Sequence, residues 1–556
     1  MVVIYNFKML AVSRHRAFSK IKHIAIRRYA QVALSEENEY TDTPNYPPIQ
    51  DMSLQARKLR GREEIYEKIK NISTVEEKQI GLNMPKYYGW PCVMLNENVI
   101  PYNAMPLVQY YTRTHFKLID KLPDIYNETS DLADSVVKEI KSHIEDCILI
   151  ENEGVQRNID LSAAKSEAQQ KEDALAKNLV RQINRIVTNN ITDKVPHILS
   201  SQVDYDPRVE AFWFMGGTDV PKKVYNFRSK FPWVKNKDEP IDRPIQYIGS
   251  PILTVRNHLP LKPLVPYSEA ENPDFKVEKF TYVPESVGYF VEFRHGTNIP
   301  GYWPGDLDEF GLLSYHNRGH ILCRKESFGA QDNLEALHCQ AMKASFGWLL
   351  SQANYQGFTS YNDITYPLTT QTVITNGHLI SLYAYQLNTI AMNIDKVDDN
   401  PKHNICFGTQ PMKLYEKIED GKVQGLNEET LKMLVQFYLN APEERDHEMK
   451  PYLGKEEQLI SDIEDDNRRC WLESRYKHLM SNRPRHNLLP EIYHWEKIYK
   501  IHHQTRFFEA KRRPFELGIN PYKRRLDEHL PPYIPKVLRP YPKARKKFET
   551  TYYPKV

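Results

Sequence analysis

The segment QTVITNGHLISLYAYQLNTIAM, Gln371 to Met392, contains two β-prone runs joined by Asn376-Gly377. Both central positions of a tight two-residue hairpin turn need positive φ, which Asn and Gly tolerate, so the pair predicts a hairpin. In the second run Leu379, Ser381, Tyr383, Tyr385 and Leu387 project one way, and Ile380, Leu382, Ala384 and Gln386 the other. Side chains alternate across a strand, and here both rows are largely apolar. Such a strand has to be central and covered on both faces. That requirement selects an α/β fold, a mixed central sheet with covering helices.

Helical periodicity supplies the covering elements. Val136, Val137, Ile140, Ile144, Cys147 and Ile148 recur at the helical period between Asp131 and Ile150. Leu175, Leu179, Ile183, Ile186 and Val187 mark a second helix over Ala163 to Val187. A third runs from Asn333 to Ala353, with Leu334, Leu337, Ala341 and Leu349 near one side. Leu54 to Lys70, Glu428 to Leu439, Asp462 to Met480 and the aromatic-rich Glu491 to Lys511 also read as helices. Residues 196 to 310, with frequent Pro, Gly and aromatic residues, predict irregular sheet joined by ordered loops, Tyr289 to Arg294 being a strand candidate.

Charge is unevenly distributed. The first 35 residues hold seven Lys/Arg and no acid, and residues 511–556 hold 13 Lys/Arg against four Asp/Glu. With a net charge of +3, the intervening 475 residues are left at a formal −13. A body of that sign excludes a general polyanion binder and confines nucleic-acid contact to particular patches. Near the start, Phe7, Leu10, Ala11, Phe18, Ile21 and Ile24 can share an apolar helical side among scattered cations, the pattern of a mitochondrial targeting segment, with Arg27-Arg28-Tyr29-Ala30 as a processing point. The organisation expected is a targeting segment at 1–29, a Pro-rich connector at 30–53, an α/β body at 54–445, a helical extension at 446–510 and a basic Pro/Tyr-rich tail at 511–556. No apolar run reaches the ~18 residues that span a bilayer.

Phosphate-contacting candidates are Arg57, Lys58, Arg60 and Arg62 on the first helix, and Arg512, Arg513, Lys523, Arg524, Arg525, Arg545, Lys546 and Lys547 in the tail. Eight prolines among the last 46 residues forbid a continuous helix and favour an extended chain. Its cations can then follow a phosphate surface while Tyr522, Tyr533, Tyr541 and Tyr552 pack in grooves.

Catalytic signatures are scarce. His316, His320, Cys323, His338 and Cys339 are the cluster to test for zinc, but adjacent His338 and Cys339 on a helix point about 100° apart. The six cysteines show no CxxC spacing, and the chain has no GxGxxG, GxxxxGK[ST] or HExxH. No catalytic, cofactor-binding or metal residue is therefore expected, and no cofactor.

The chain resembles a known family through Tyr355-Gln356-Gly357-Phe358, Val373-Ile374-Thr375-Asn376-Gly377, Tyr385-Gln386-Leu387-Asn388-Thr389, Asn404-Ile405-Cys406, Gly408-Thr409-Gln410, Leu414-Tyr415-Glu416 and Ile418-Glu419-Asp420. Their order and spacing are those of the metazoan mitochondrial ribosomal protein historically numbered thirty in the small-subunit series. Weaker likeness extends through Tyr46-Pro47-Pro48-Ile49, Ala56-Arg57-Lys58-Leu59-Arg60 and the surroundings of Trp213, covering residues 44 to 445; the last 110 or so depart from the family pattern. The resemblance implies a non-enzymatic structural constituent of the large mitoribosomal subunit in the mitochondrial matrix. It also implies contacts with large-subunit rRNA, a related large-subunit protein numbered thirty-seven and other mitoribosomal proteins. Within it Asn376 and Gly377 would set a turn, Gly408 a backbone bend, and Tyr385 and Gln386 central sheet packing. Some members carry a cell-death name, for which these residues supply no mechanism. Two rival readings are a freestanding mitochondrial RNA-binding or ribosome assembly factor, and a matrix enzyme with a deep pocket lined by perturbed acids or His320 and Cys323.

Overall fold

A computed structural model describes residues 50–82, 90–155, 166–294, 296–360, 362–455 and 458–480. The expected targeting segment, nearly all of the expected connector, the stretch Glu491–Lys511 predicted as a helix and the basic tail lie outside the described residues. Those described fall into two units, residues 50–65 with 219–240, and the remainder.

The helix α1, Leu54–Lys70, whose residues up to Ile65 belong to the smaller unit, begins after Ser53, whose hydroxyl accepts the Ala56 N–H at 3.2 Å as an N-cap. Residues 219–240 form an excursion between two strands of the larger unit.

The larger unit contains the helices α2 (Val75–Leu82), α3 (Met105–Thr112), α4 (Ser130–Val155), α5 (Glu167–Ile191), α6 (Gly329–Tyr355), α7 (Glu428–Leu439) and α8 (Asp466–Met480). Its strands are β1 (Trp90–Asn96), β2 (Thr114–Leu118), β3 (Gln202–Tyr205), β4 (Val209–Thr218), β5 (Ile241–Gly249), β6 (Leu253–Asn257), β7 (Val291–Arg294), β8 (Phe310–Asn317), β9 (Leu368–Thr375), β10 (Leu379–Leu387), β11 (Asn404–Gly408), β12 (Met412–Lys413), β13 (Lys417–Glu419) and β14 (Lys422–Gln424). One mixed sheet runs β4-β5-β1-β7, with β1 and β5 parallel. A second, larger one runs β2-β11-β10-β9-β8-β6-β3, with β12 also on β10, and is likewise mixed because β2–β11 and β8–β9 are parallel; β13 and β14 pair as a separate two-stranded ribbon. The fold is thus α/β with a mixed central sheet and surrounding helices. Residues 196–310 are more regular than their composition predicts. They supply β3 to β7, including the ten-residue β4.

β10 lies inside the larger sheet, and its two rows enter different cores. Tyr383, Tyr385 and Leu387 pack with α6 and the smaller sheet, while Ile380, Leu382 and Ala384 pack with α4, α5 and α7. α6 contacts both sheets, and every residue from Ala336 to Tyr355 is buried, so the one-sided stripe expected over Asn333–Ala353 is corrected. A helix between two sheets has no solvent face, and the apolar period disappears because every face is interior. Small residues permit the approach: a Cβ on Gly347 would sit 2.3 Å from the Tyr247 ring. α6 ends in a Schellman motif, with Phe358 N–H on Ala353 O at 3.0 Å, Gly357 N–H on Asn354 O at 3.1 Å, and Gly357 at φ +93°. The predicted Asp462–Met480 helix starts later, at Asp466, after a 3₁₀ turn over Ile460–Asp462.

The β9–β10 hairpin forms, but its turn differs from the expected one. Of Asn376 and Gly377 only Gly377 has positive φ, at +90°. The loop has three residues, and Asn376 acts through its side chain: Oδ1 accepts the N–H groups of His378 at 3.1 Å and Leu379 at 2.8 Å. Two successive positive φ values occur instead at Asp420 and Gly421, between β13 and β14.

Gly408 makes no bend. It pairs in register with Tyr383 and Leu118, and a Cβ there would meet the Tyr383 ring at 2.6 Å and Phe116 at 2.7 Å. Tyr385 shares a 2.6 Å hydrogen bond with the Thr114 hydroxyl. Gln386 Oε1 accepts from Leu264 N at 2.7 Å and Val265 N at 3.0 Å, which fastens a loop to the sheet. Among the described residues no helix is long and apolar enough to cross a membrane.

Gly408→Ala is expected to destabilise the protein by about 1–3 kcal/mol through overpacking. Gly61→Ala, whose Cβ meets nothing within 4 Å, should instead favour α1 by up to about 1 kcal/mol. Urea unfolding followed by circular dichroism distinguishes the two, and a Gly408→Ala protein as stable as the parent would remove the close-approach argument.

Candidate nucleic-acid interface

The basic positions of α1 do not form one stripe. At 100° per residue, Arg60, Arg57, Lys58 and Arg62 spread over about 200° of the helix surface. Arg57 and Lys58 are exposed, while Arg60 and Arg62 are half-buried. Arg60 Nη2 lies 3.8 Å from Met52 Sδ. Arg57 and Lys58 are thus the more open of the four, with Arg60 and Arg62 partly covered. The tail candidates Arg512, Arg513, Lys523, Arg524, Arg525, Arg545, Lys546 and Lys547 lie outside the described residues.

The 219–240 excursion presents a second basic surface, which neither helical period nor strand alternation singles out. Lys222, Lys223, Lys230 and Lys235 are exposed. Phe227, Phe231 and Trp233 form a run of rings, with centroids 5.0 Å apart at each step, and Trp233 is 70% exposed at its end. Arg228 closes the loop instead of facing outward, donating from Nη1 to Lys237 O at 3.1 Å and Glu239 O at 2.6 Å. The signal that finds this surface is compositional, an alternation of Lys with aromatic residues inside an acidic body.

Buried ionisable groups are used in packing. Glu97, just beyond β1, accepts from Gln340 Nε2 at 3.0 Å and Ser250 N at 2.7 Å, and its Oε1 lies 2.7 Å from His316 Nδ1. Burial pushes the Glu97 carboxyl up, but the neighbouring His316 ring and the donors from Ser250 and Gln340 outweigh it and hold the pKa at about 2. Lys343 donates to Asn96 O at 2.7 Å and Glu97 O at 3.3 Å, and burial lowers its pKa to about 8. Glu97 and His316 side chains are 2% and 4% exposed, so the pair ties β1, β8 and α6 together instead of facing a substrate.

The zinc candidates do not converge. His316 is engaged by Glu97, His338 Nδ1 lies 3.0 Å from Tyr383 Oη, and exposed Cys323 donates to Gln169 Oε1 at 3.1 Å. Burial pushes the Cys339 thiol up to about 12 and the His320 imidazole down to about 3. Among the described residues no group of three or more His, Cys, Asp or Glu side chains is placed to hold a metal.

A family model described as mitochondrial 28S ribosomal protein S30 (PDCD9) matches residues 10–442. The chain belongs to this family. The S30 match takes in α1, the 219–240 excursion, both sheets and α7, and ends before α8 and the tail. S30 membership is consistent with a non-enzymatic role. The words quoted from residues 355–420 fall on the Schellman end of α6, on β9, β10, β11 and β13, and on the loops beside them. There they make buried bonds such as Asn404 Oδ1 accepting from Asn388 N at 2.7 Å and Thr389 N at 3.0 Å.

Glu97 also makes stability depend on pH. A carboxyl held at about 2 when folded, against 4.5 ordinarily, contributes stability that is complete above pH 4.5 and lost as pH falls towards 2. Glu97→Gln is expected to lower stability at neutral pH by on the order of 3 kcal/mol and to flatten this acid limb. Urea midpoints measured between neutral and acid pH check it, and a parent-like acid limb in the variant would contradict the assignment.

Proposed function

We propose that this protein is a structural constituent of the mitochondrial large ribosomal subunit, in the matrix, and supports organellar translation by joining neighbours without catalysing a reaction. The observation that carries the reading is the S30 family match over residues 10–442. Placement in the large subunit rests on the resemblance of the 355–420 words, since the family's own name refers to the 28S subunit. The partners proposed are large-subunit rRNA, the related large-subunit protein numbered thirty-seven, and other mitoribosomal proteins. An acidic body suits recruitment mainly through protein neighbours, with rRNA met at local basic surfaces. The rRNA-facing residues proposed are Arg57 and Lys58 on α1, with Arg60 and Arg62 at the edges of that face, together with the tail cations. The division into a 54–445 body, a 446–510 extension and a 511–556 tail is part of the same proposal.

Sedimentation of mitochondrial lysate after a high-salt wash tests the placement. One copy per large subunit is expected. Substoichiometric association would favour an assembly factor, and recovery with the small subunit would overturn the large-subunit reading. Deleting residues 511–556 is expected to weaken particle retention in a salt-dependent way while the body stays folded. Retention unchanged across a salt titration would reject an RNA-contact role for the tail.

A further inference from the structure

Residues 220–237 hold six Lys/Arg and no Asp or Glu; the excursion's acids, Asp219, Asp238 and Glu239, stand at its two ends. A stretch of that composition is unusual in a chain whose central 475 residues carry a formal −13. Lys222, Lys223, Lys230 and Lys235 are exposed and have no acidic partner among the described residues. The apolar element is a braced ring: Phe227 packs edge-on against Phe231, and Phe231 tilts against Trp233. Trp233 is thus supported on one side while 70% of it remains open to solvent. Arg228, bonded to two carbonyls of the same loop, fixes the curvature that places the tip.

We infer that the 219–240 excursion is a docking surface for single-stranded RNA, with an unpaired base stacked on Trp233 and the adjoining phosphates met by Lys222, Lys223, Lys230 and Lys235. The inference rests on the reading of the chain as an rRNA neighbour and adds the place and the kind of RNA. An exposed indole held by other rings offers a sequence-tolerant stacking platform, and flanking lysines neutralise the backbone on either side. Duplex RNA keeps its bases stacked and presents phosphates, 2′-hydroxyls and a shallow groove, which leave the indole face without a partner. A protein partner is less suited, because lysine is depleted in protein–protein interfaces. The smaller unit also contains Arg57 and Lys58, which adds to its cationic character.

The test uses the full chain and two probes, a labelled oligouridylate and an RNA duplex of the same length, with binding read by fluorescence anisotropy over a salt series. The single strand is expected to bind more tightly. Trp233→Ala should weaken it about tenfold, and Trp233→Phe, which retains a ring, should recover most of the loss. Changing Lys222, Lys223, Lys230 and Lys235 together to Ala should reduce the slope of log affinity against log salt by about 3. Parent-like binding by both the Trp233→Ala and the four-lysine variants would overturn the inference, as would equal, Trp233-independent binding of the duplex. Loss of a mitoribosomal protein from Trp233→Ala particles, with oligouridylate affinity unchanged, would overturn it in favour of a protein contact. The wider reading fails separately, if the parent chain does not sediment with mitoribosomal particles at all.

Discussion

β10 has no solvent-facing side, and the larger unit is organised around that constraint. Its tyrosine row needs a layer above and its aliphatic row a layer below. α6 supplies the first, and the α4, α5 and α7 group supplies the second. α6 then needs cover on its own far face, which the β4-β5-β1-β7 sheet provides. Burial on this scale is the main favourable contribution to folding, at roughly 25 cal/mol per Å² of apolar surface. It also brings polar groups inside, where each needs a partner. Glu97, Lys343, Gln386 and Asn404 meet that need with bonds to backbone and side chains of several elements. The buried polar side chains thereby hold the packed layers in register.

Much of this architecture was legible from residue pattern. The two-faced strand, the Leu54–Lys70 and Glu428–Leu439 helices, and the apolar positions of α4 and α5 follow from local periodicity. Periodicity failed at α6, because a helix enclosed on all sides has no polar face to reveal its orientation. Two glycine readings, drawn from turn chemistry and from the family resemblance, also differ from the structure. Asn376-Gly377 carries the tight-turn dipeptide, yet a third loop residue lets the Asn side chain, not its φ, shape the backbone. The family resemblance implied a bend at Gly408. The actual demand is space for the Tyr383 and Phe116 rings, whose positions only the assembled sheet defines.

The candidate interface was legible to a smaller degree. A run such as Arg57-Lys58-Leu59-Arg60 identifies a basic helix, but exposure divides its members, and exposure depends on tertiary packing. Residues 220–237 show the converse case. Their alternation of lysine and aromatic residues is visible in the chain, but only the edge-on and tilted packing of Phe227, Phe231 and Trp233 distinguishes a presented ring from ordinary core. The acidic character of the rest of the protein gives these basic surfaces their meaning, since repulsion from the body leaves few other places where a polyanion can settle.

The parallel pairing of β2 with β11 joins residues 114–118 to residues 404–408. Any route to the native state therefore leaves this strand without its neighbour until a long intervening length of polypeptide is available, and the closure entropy of that loop has to be met late. Synthesis proceeds from the amino end, so β2 and the apolar side of α4 wait for their partners until residues 404–408 have followed. A chain that ends before residue 404 lacks β11, so β2 has no strand to pair with and β10 loses its neighbour on that side.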